Sequence, residues 1–413
     1  MPLRLHRWSE RVVVGVAIAA FSAGFGQFGA VAALGDVART FGRVVHGATL
    51  GDQAGLSGTA LGVGLAIIRL ASLGGLPLAG LADRLGRRTM LLATVGIGLV
   101  LTVAAAASPG YWWFVAIFAC GRPLLSATAA VAQVTAAEQT GAGDRAKAVA
   151  LVTAGYGFGA GMTAVIHGLA GAIGFRGVFA LAVVPLALLP LIARWVQEPD
   201  RFAVANTSAG HALPVMGAVG KRFRRHLAVV VGLSFAVSLI SGPATSFVFL
   251  YAQNVRRISG PATAAMVVVA GAVGFAGLLA GRWLADHAGR RVTASVGMAA
   301  MAVFGVLTYS GSRSALIVGY ILGVLAGAVF TPAVGALVSE LFPTSVRASV
   351  AGWWIAAGVL GAVAGLVEFG AVADVGNRFA GAALVTFLPA LSAIVLFWMV
   401  PETKGREPED LWP

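Results

Sequence analysis

Twelve apolar runs, each about as long as a bilayer is thick, leave this chain few ways to fold. An α-helix needs about 20 apolar residues to cross the hydrocarbon core, and only helices or closed barrels satisfy their backbone polar groups there. Runs of that kind lie near residues 12–34, 56–79, 90–107, 111–137, 146–170 and 178–197, then 227–252, 262–284, 292–310, 314–339, 349–372 and 379–400. The mean hydropathy is +0.88, and only 11% of the 413 residues are charged, where a soluble domain carries roughly 25%. Lipid is therefore the expected solvent, and the expected fold is an all-α membrane protein of twelve transmembrane helices. The first run, at 23 residues, exceeds the apolar core of a signal peptide and is expected to stay in the mature protein. The single Cys120 excludes a disulfide framework and a thiolate metal cluster, and no metal site is expected.

Basic residues set the orientation. With both termini in the cytoplasm, the outer loops hold only Arg39, Arg43, Arg176, Arg256, Arg257, Arg313 and Arg378, Arg69 and Arg122 fall inside apolar runs, and the remaining Lys and Arg lie on inner segments. The reverse orientation inverts the positive-inside bias. The net charge of +13 is read as a topology signal. No basic soluble domain is present to carry a nucleic-acid function.

The chain also repeats itself. Asp83, Gly86, Arg87 and Arg88 in "GLADRLGRRTML" recur as Asp286, Gly289, Arg290 and Arg291 in "LADHAGRRVT", 203 residues later. Glu138 and Arg145 recur as Glu340 and Arg347, and Glu198 in "VQEPDR" aligns with Glu402 in "VPETKGR", at offsets of 202 and 204. The implied organisation is two pseudo-symmetric six-helix halves, residues 1–200 and 226–413, with residues 201–225 as a polar cytoplasmic linker ending in "KRFRRH". Two such halves are the layout of a rocker-type transporter.

These motifs carry a family resemblance. "GLADRLGRR" resembles the signature loop between helices 2 and 3 of the major facilitator superfamily, and "ELFPTSVRA" and "PETKGR" are similar to inner-face motifs of its sugar-porter and metabolite–proton symporter branches. The resemblance covers the whole chain and implies alternating access, no bound cofactor, a proton gradient as energy source, and a monomer in the inner membrane. The sugar-porter glutamine motifs are missing from "LVTAGYGFGAGMTAVIHG" and "LSFAVSLISGPATSFVF", which argues against a sugar. Gly86 permits a tight turn, and Asp83 is expected near a helix N-terminus, where the dipole favours negative charge. The resemblance implies that this terminus belongs to helix 11. Arg87, Arg88, Glu138, Arg145 and Glu198, and in the second copy Asp286, Arg290, Arg291, Glu340, Arg347 and Glu402, are expected to form inner-face gating networks whose ion pairs bias a two-state motion.

Polar residues within the runs are the candidates for solute contact. Arg69 lies about 20 Å along the second helix, and Arg122 lies near the middle of the fourth. An intramembrane guanidinium costs at least about 2.5 kcal/mol, so each is expected to face a cavity or a partner. Arg122 occupies the place of the family's helix 4 arginine, but helix 1 offers Gln27 where proton-coupled sugar porters have an aspartate. An anionic solute would neutralise either arginine. Ser126, Tyr156, Ser238, Ser241, Thr245 and Tyr320 are further lining candidates, although Ser and Thr also bond back to their own helix. Glu368 and His167, in that order, are candidates for proton coupling, against the alternative that both are vestibule residues facing water. No nucleophile–base pair or paired carboxylate for an enzyme and no nucleotide-binding loop for an ATP-driven pump is visible. The expected partners are a small organic solute, protons and the bilayer. Proton-coupled uptake is the first reading; export of drug-like or metabolite molecules is the alternative, weakened because "AVIHGLAGAIG" lacks the proline of drug antiporters.

Overall fold

The computed structural model describes residues 6–45, 50–170, 173–199, 219–375 and 378–406. Most of the expected linker, 201–225, lies outside them. The fold is all-α, with twelve membrane-spanning helices: α1 Arg11–Ala32, α2 Gly58–Leu85, α3 Arg87–Ala105, α4 Tyr111–Gln139, α5 Gly143–Leu169, α6 Gly174–Trp195, α7 Lys221–Val255, α8 Gly260–His287, α9 Arg290–Thr308, α10 Arg313–Glu340, α11 Val346–Asp374 and α12 Phe379–Trp398. Large apolar side chains on their outer faces, such as Trp113, Phe158, Phe275 and Trp283, are more than half exposed. A chain in water hides most such surface; a chain in lipid has no reason to.

The structure corrects one reading. The charged stretch around residue 83 is not a loop. The helix that ends α2 carries Asp83 and Arg84 to Leu85, Gly86 alone breaks it, and α3 begins at Arg87. Gly86 has φ +98° and its counterpart Gly289 has φ +104°, a region that an L side chain enters only with strain.

The chain groups into two compact units, one of Met1–Ala33 with Ala71–Leu213 and one of Leu34–Leu70 with Pro214–Pro413. The division passes through α2, where a 3-10 turn at Ser72–Gly74 interrupts the helix. In the first unit α1 and α5 touch backbone to backbone. A Cβ on Gly24 would lie 2.1 Å from the Tyr156 carbonyl oxygen, and one on Gly159 would lie 2.0 Å from that of Phe21. The second unit repeats this contact between α7 and α11: a Cβ on Gly361 would lie 2.1 Å from the Phe235 carbonyl oxygen, and one on Gly365 would lie 2.4 Å from that of Leu239. Close packing of small residues replaces the hydrophobic drive that lipid cannot supply.

Two glycines of α5 test this packing. Gly159 is closed by Phe21, whereas nothing lies within 4 Å of a Cβ on Gly157. Gly159→Leu is expected to cost more than the ~1–3 kcal/mol of ordinary overpacking, because backbone must move. In detergent size-exclusion profiles it should lose the monodisperse peak that Gly157→Leu keeps. Equal profiles for the two variants would show that the contact is not required.

Candidate functional site

The repeated motifs build the same device twice. At the start of α3, the Glu198 carboxylate accepts the backbone N–H of Arg87 at 2.5 Å and of Arg88 at 3.0 Å. At the start of α9, Glu402 accepts those of Arg290 at 2.9 Å and Arg291 at 3.0 Å. A helix leaves its first N–H groups without internal acceptors, and a carboxylate there also meets the favourable end of the dipole. The preceding glycine provides room as well as a turn: a Cβ on Gly86 would lie 2.9 Å from Glu198 Oε2, and one on Gly289 would lie 2.8 Å from Glu402 Oε2.

Side chains extend each cap into a network. Arg87 binds Glu138 through two parallel bonds of 3.1 and 3.0 Å and pairs with Asp83 at 2.5 Å. Arg290 reaches Glu340 and Asp286, each at 3.4 Å. Arg88 donates to the carbonyls of Val196 and Ala193 at the end of α6, where a cation suits the helix C-terminus. Arg291 lies over the Trp398 ring at 4.5 Å. Arg145 is exposed and outside these pairs, and Arg347 donates to the Phe342 carbonyl. Thus Glu198 and Glu402 occupy the two helix starts, while Asp83 and Asp286 hold the arginines.

Within the first unit, three of the expected solute-contacting residues come together. Arg122 Nη1 donates to the Gln27 carbonyl at 3.1 Å, and the Tyr156 hydroxyl donates to Gln27 Oε1 at 3.2 Å. The α1–α5 backbone contact sets Tyr156 beside α1. Gln27 is buried, and among the described residues its Nε2 has no acceptor. The Ser126 Cβ lies 2.9 Å from where a Cβ on Gly75 would sit, so that residue packs against α2. His167 is buried near the end of α5.

Within the second unit, Ser241, Thr245 and Tyr320 line one cavity of about 350 Å³ together with Thr308, Thr331 and apolar residues such as Met301 and Phe330. Thr245, Thr308 and Thr331 donate to carbonyls of their own helices. The Ser241 and Tyr320 hydroxyls make no such bond among the described residues, so they are the donors open to a guest. Ser238 is not in this lining; its Oγ lies 3.0 Å from a Cβ built on Gly358, which places it in the α7–α11 contact. Arg69 is exposed, one turn before the 3-10 break in α2, and Glu368 is half-buried in α11.

Sequence reasoning missed Asp374. At the end of α11, its carboxylate accepts the Gly58 N–H at 2.9 Å and the Thr59 hydroxyl at 3.1 Å, capping the start of α2. Beside it α2 and α11 are in backbone contact: a Cβ on Gly62 would lie 2.4 Å from the Leu366 carbonyl oxygen, and one on Gly370 would lie 2.3 Å from that of Gly58. The visible signal was an acid closing one apolar run and "SGT" opening another.

Comparison with known proteins bears on the family and the fold. The family model described as Major Facilitator Superfamily matches residues 16–289, and one described as Sugar (and other) transporter matches residues 211–411. A probable 4-methylmuconolactone transporter of Cupriavidus pinatubonensis is 26% identical over 371 residues, 86% of this chain and 85% of that protein. The 3-(3-hydroxy-phenyl)propionate transporter of Escherichia coli (strain K12) is 35% identical over 134 residues, 31% of this chain and 32% of that protein. The inward-open xylose transporter XylE from E. coli shares the fold with a TM-score of 0.75 and 18% identity, covering 97% of this chain and 99% of that one.

The capping assignment has a direct check. Glu198→Ala is expected to lower stability by about 1–2 kcal/mol, read as an earlier melting transition of the detergent-purified protein. Glu402→Ala should behave alike, and Arg145→Ala should melt like the unaltered protein. Gly86→Ala should be worse than either, combining strained φ with a collision. A Glu198→Ala protein that melts unchanged would refute the cap.

Proposed function

The chain belongs to the Major Facilitator Superfamily, and from that premise we propose that its solute is a small amphipathic carboxylate taken up together with protons. The coarser function is secondary transport of a small organic solute across a membrane, not catalysis. The observation that carries the finer reading is the Arg122–Gln27–Tyr156 cluster. The Gln27 carbonyl orients the guanidinium within the first unit. A carboxylate suits that cation through charge-assisted bonds, and Gln27 Nε2 offers one more donor. Taken by itself, the second unit's cavity, mostly apolar with the Ser241 and Tyr320 hydroxyls, suits a small, largely uncharged guest. The names of two relatives, which describe carriers of 4-methylmuconolactone and of 3-(3-hydroxy-phenyl)propionate, support the same class.

In this reading the repeats, residues 1–200 and 226–413, are the alternating halves, with both termini cytoplasmic and the glutamate-capped networks on the inner face. Arg69, in the other unit, is a further candidate for solute contact. Glu368, a half-buried carboxylate within α11, carries the coupled proton, and His167 is the lesser candidate.

Uptake of radiolabelled 3-(3-hydroxyphenyl)propionate by cells expressing the protein tests this. Arg122→Lys should reduce uptake about tenfold or more, since a hydrogen bond to a charged group is worth ~1.5–3 kcal/mol and an ammonium cannot reproduce the planar fork. Unchanged uptake in that variant would sink the carboxylate reading. Glu368→Gln should abolish accumulation driven by a pH gradient yet retain solute exchange without one. Gradient-driven accumulation that survives the change would remove Glu368 from coupling.

A further inference from the structure

Three of the arginines that run against the positive-inside pattern, Arg256, Arg313 and Arg378, meet at one end of the second unit. The end is the one opposite Glu402, where α7 and α9 finish and α10 and α12 begin. A cavity of about 420 Å³ opens there, lined by Arg256 and Arg378, by Tyr251, Tyr309 and Phe379, and by the first residues of α12. No acidic residue is in that lining.

The cavity is built rather than incidental. Arg256 Nε donates to the Tyr251 hydroxyl at 2.8 Å, its guanidinium lies 5.2 Å from the Tyr251 ring centre, and its carbonyl accepts Arg313 Nε at 3.0 Å. Tyr251 is itself fixed, donating to the Tyr309 carbonyl at 3.3 Å. One edge of Arg256 is therefore locked, and its two terminal nitrogens have no hydrogen-bond acceptor among the described residues. Gly311, at φ +116°, leaves room for them; a Cβ there would lie 3.2 Å from Arg256 Nη2. The floor is aromatic. The Tyr309 and Phe379 rings stack at 12° with centres 5.9 Å apart, and Tyr251 lies 4.6 Å from Phe379. The start of α12 carries no side-chain cap, so its free N–H groups add to the positive potential that the two arginines set up.

We propose that this cavity is a second ligand site, separate from the Arg122 cluster, that binds a small carboxylate between Arg256 and Arg378. The locked Arg256 presents a forked pair of donors to the carboxylate, and Arg378 adds a second charge. On the orientation proposed above, the site faces the outside and holds an anion before it enters the transport path.

Calorimetric titration with benzoate tests the site, using purified protein in which Arg122→Gln has disabled the first-unit cluster. Benzoate is expected to bind that protein, and a further Arg378→Gln change should weaken binding about tenfold, the loss of one charge-assisted contact. Arg378 is exposed, so this variant should fold; Arg256→Lys, which keeps the charge but not the fork, should weaken binding likewise. The proposal is overturned if the Arg122→Gln protein does not bind benzoate, or binds it equally after Arg378→Gln. It is also overturned if phosphatidylglycerol, added to the same micelles, displaces benzoate, because the occupant would then be a lipid headgroup.

Discussion

At the start of α3, and again at the start of α9, one carboxylate accepts two backbone N–H groups that the helix itself cannot use. A membrane protein is held to strict accounting of such groups, because water is scarce where helices end and absent where they pass. The cap solves that problem and sets others. It needs a residue with no side chain before the helix, hence Gly86 and Gly289. It also needs the acid to arrive from the end of another helix, which ties α3 to α6 and α9 to α12. Arg87 and Arg290, the first residues of the capped helices, then have their side chains aimed at Glu138 and Glu340. The spacing of acids and arginines follows from one hydrogen-bonding demand met twice.

Much of this was legible from residue types alone. Twelve apolar runs fixed twelve helices, and the repeated Asp-Gly-Arg-Arg and Glu anchors marked the networks. Gln27, Arg122 and Tyr156 stood out because polar groups in lipid need partners, and they partner one another. Other residues have a packing role beside the one expected of them. Ser126 and Ser238 look like lining residues, yet they fill the space left by Gly75 and Gly358 on neighbouring helices; small hydroxyls serve packing as readily as recognition. The role of Asp374 was invisible because its partner is 316 residues away in sequence. Charge repetition showed that Glu198 and Glu402 mattered, but not that their acceptors meet backbone rather than side chains.

The two units offer a solute different chemistry. The first holds a guanidinium oriented by a carbonyl and flanked by a buried amide donor with no acceptor of its own. The second holds an apolar cavity with two hydroxyls that their own helices do not use. The architecture is shared with the xylose carrier, so the solute is not read from the fold.

The central claim is that negative charge on the solute is what the protein recognises. The measurement that tests it most directly is uptake into proteoliposomes of a panel of radiolabelled aryl and alkyl carboxylates, each run in competition with its own carboxamide. The pairs match in size and differ in charge. The account predicts that at least one carboxylate accumulates under an imposed pH gradient and that its amide neither enters nor competes. Amides that compete as well as the acids, or a panel in which only neutral solutes enter, would contradict it.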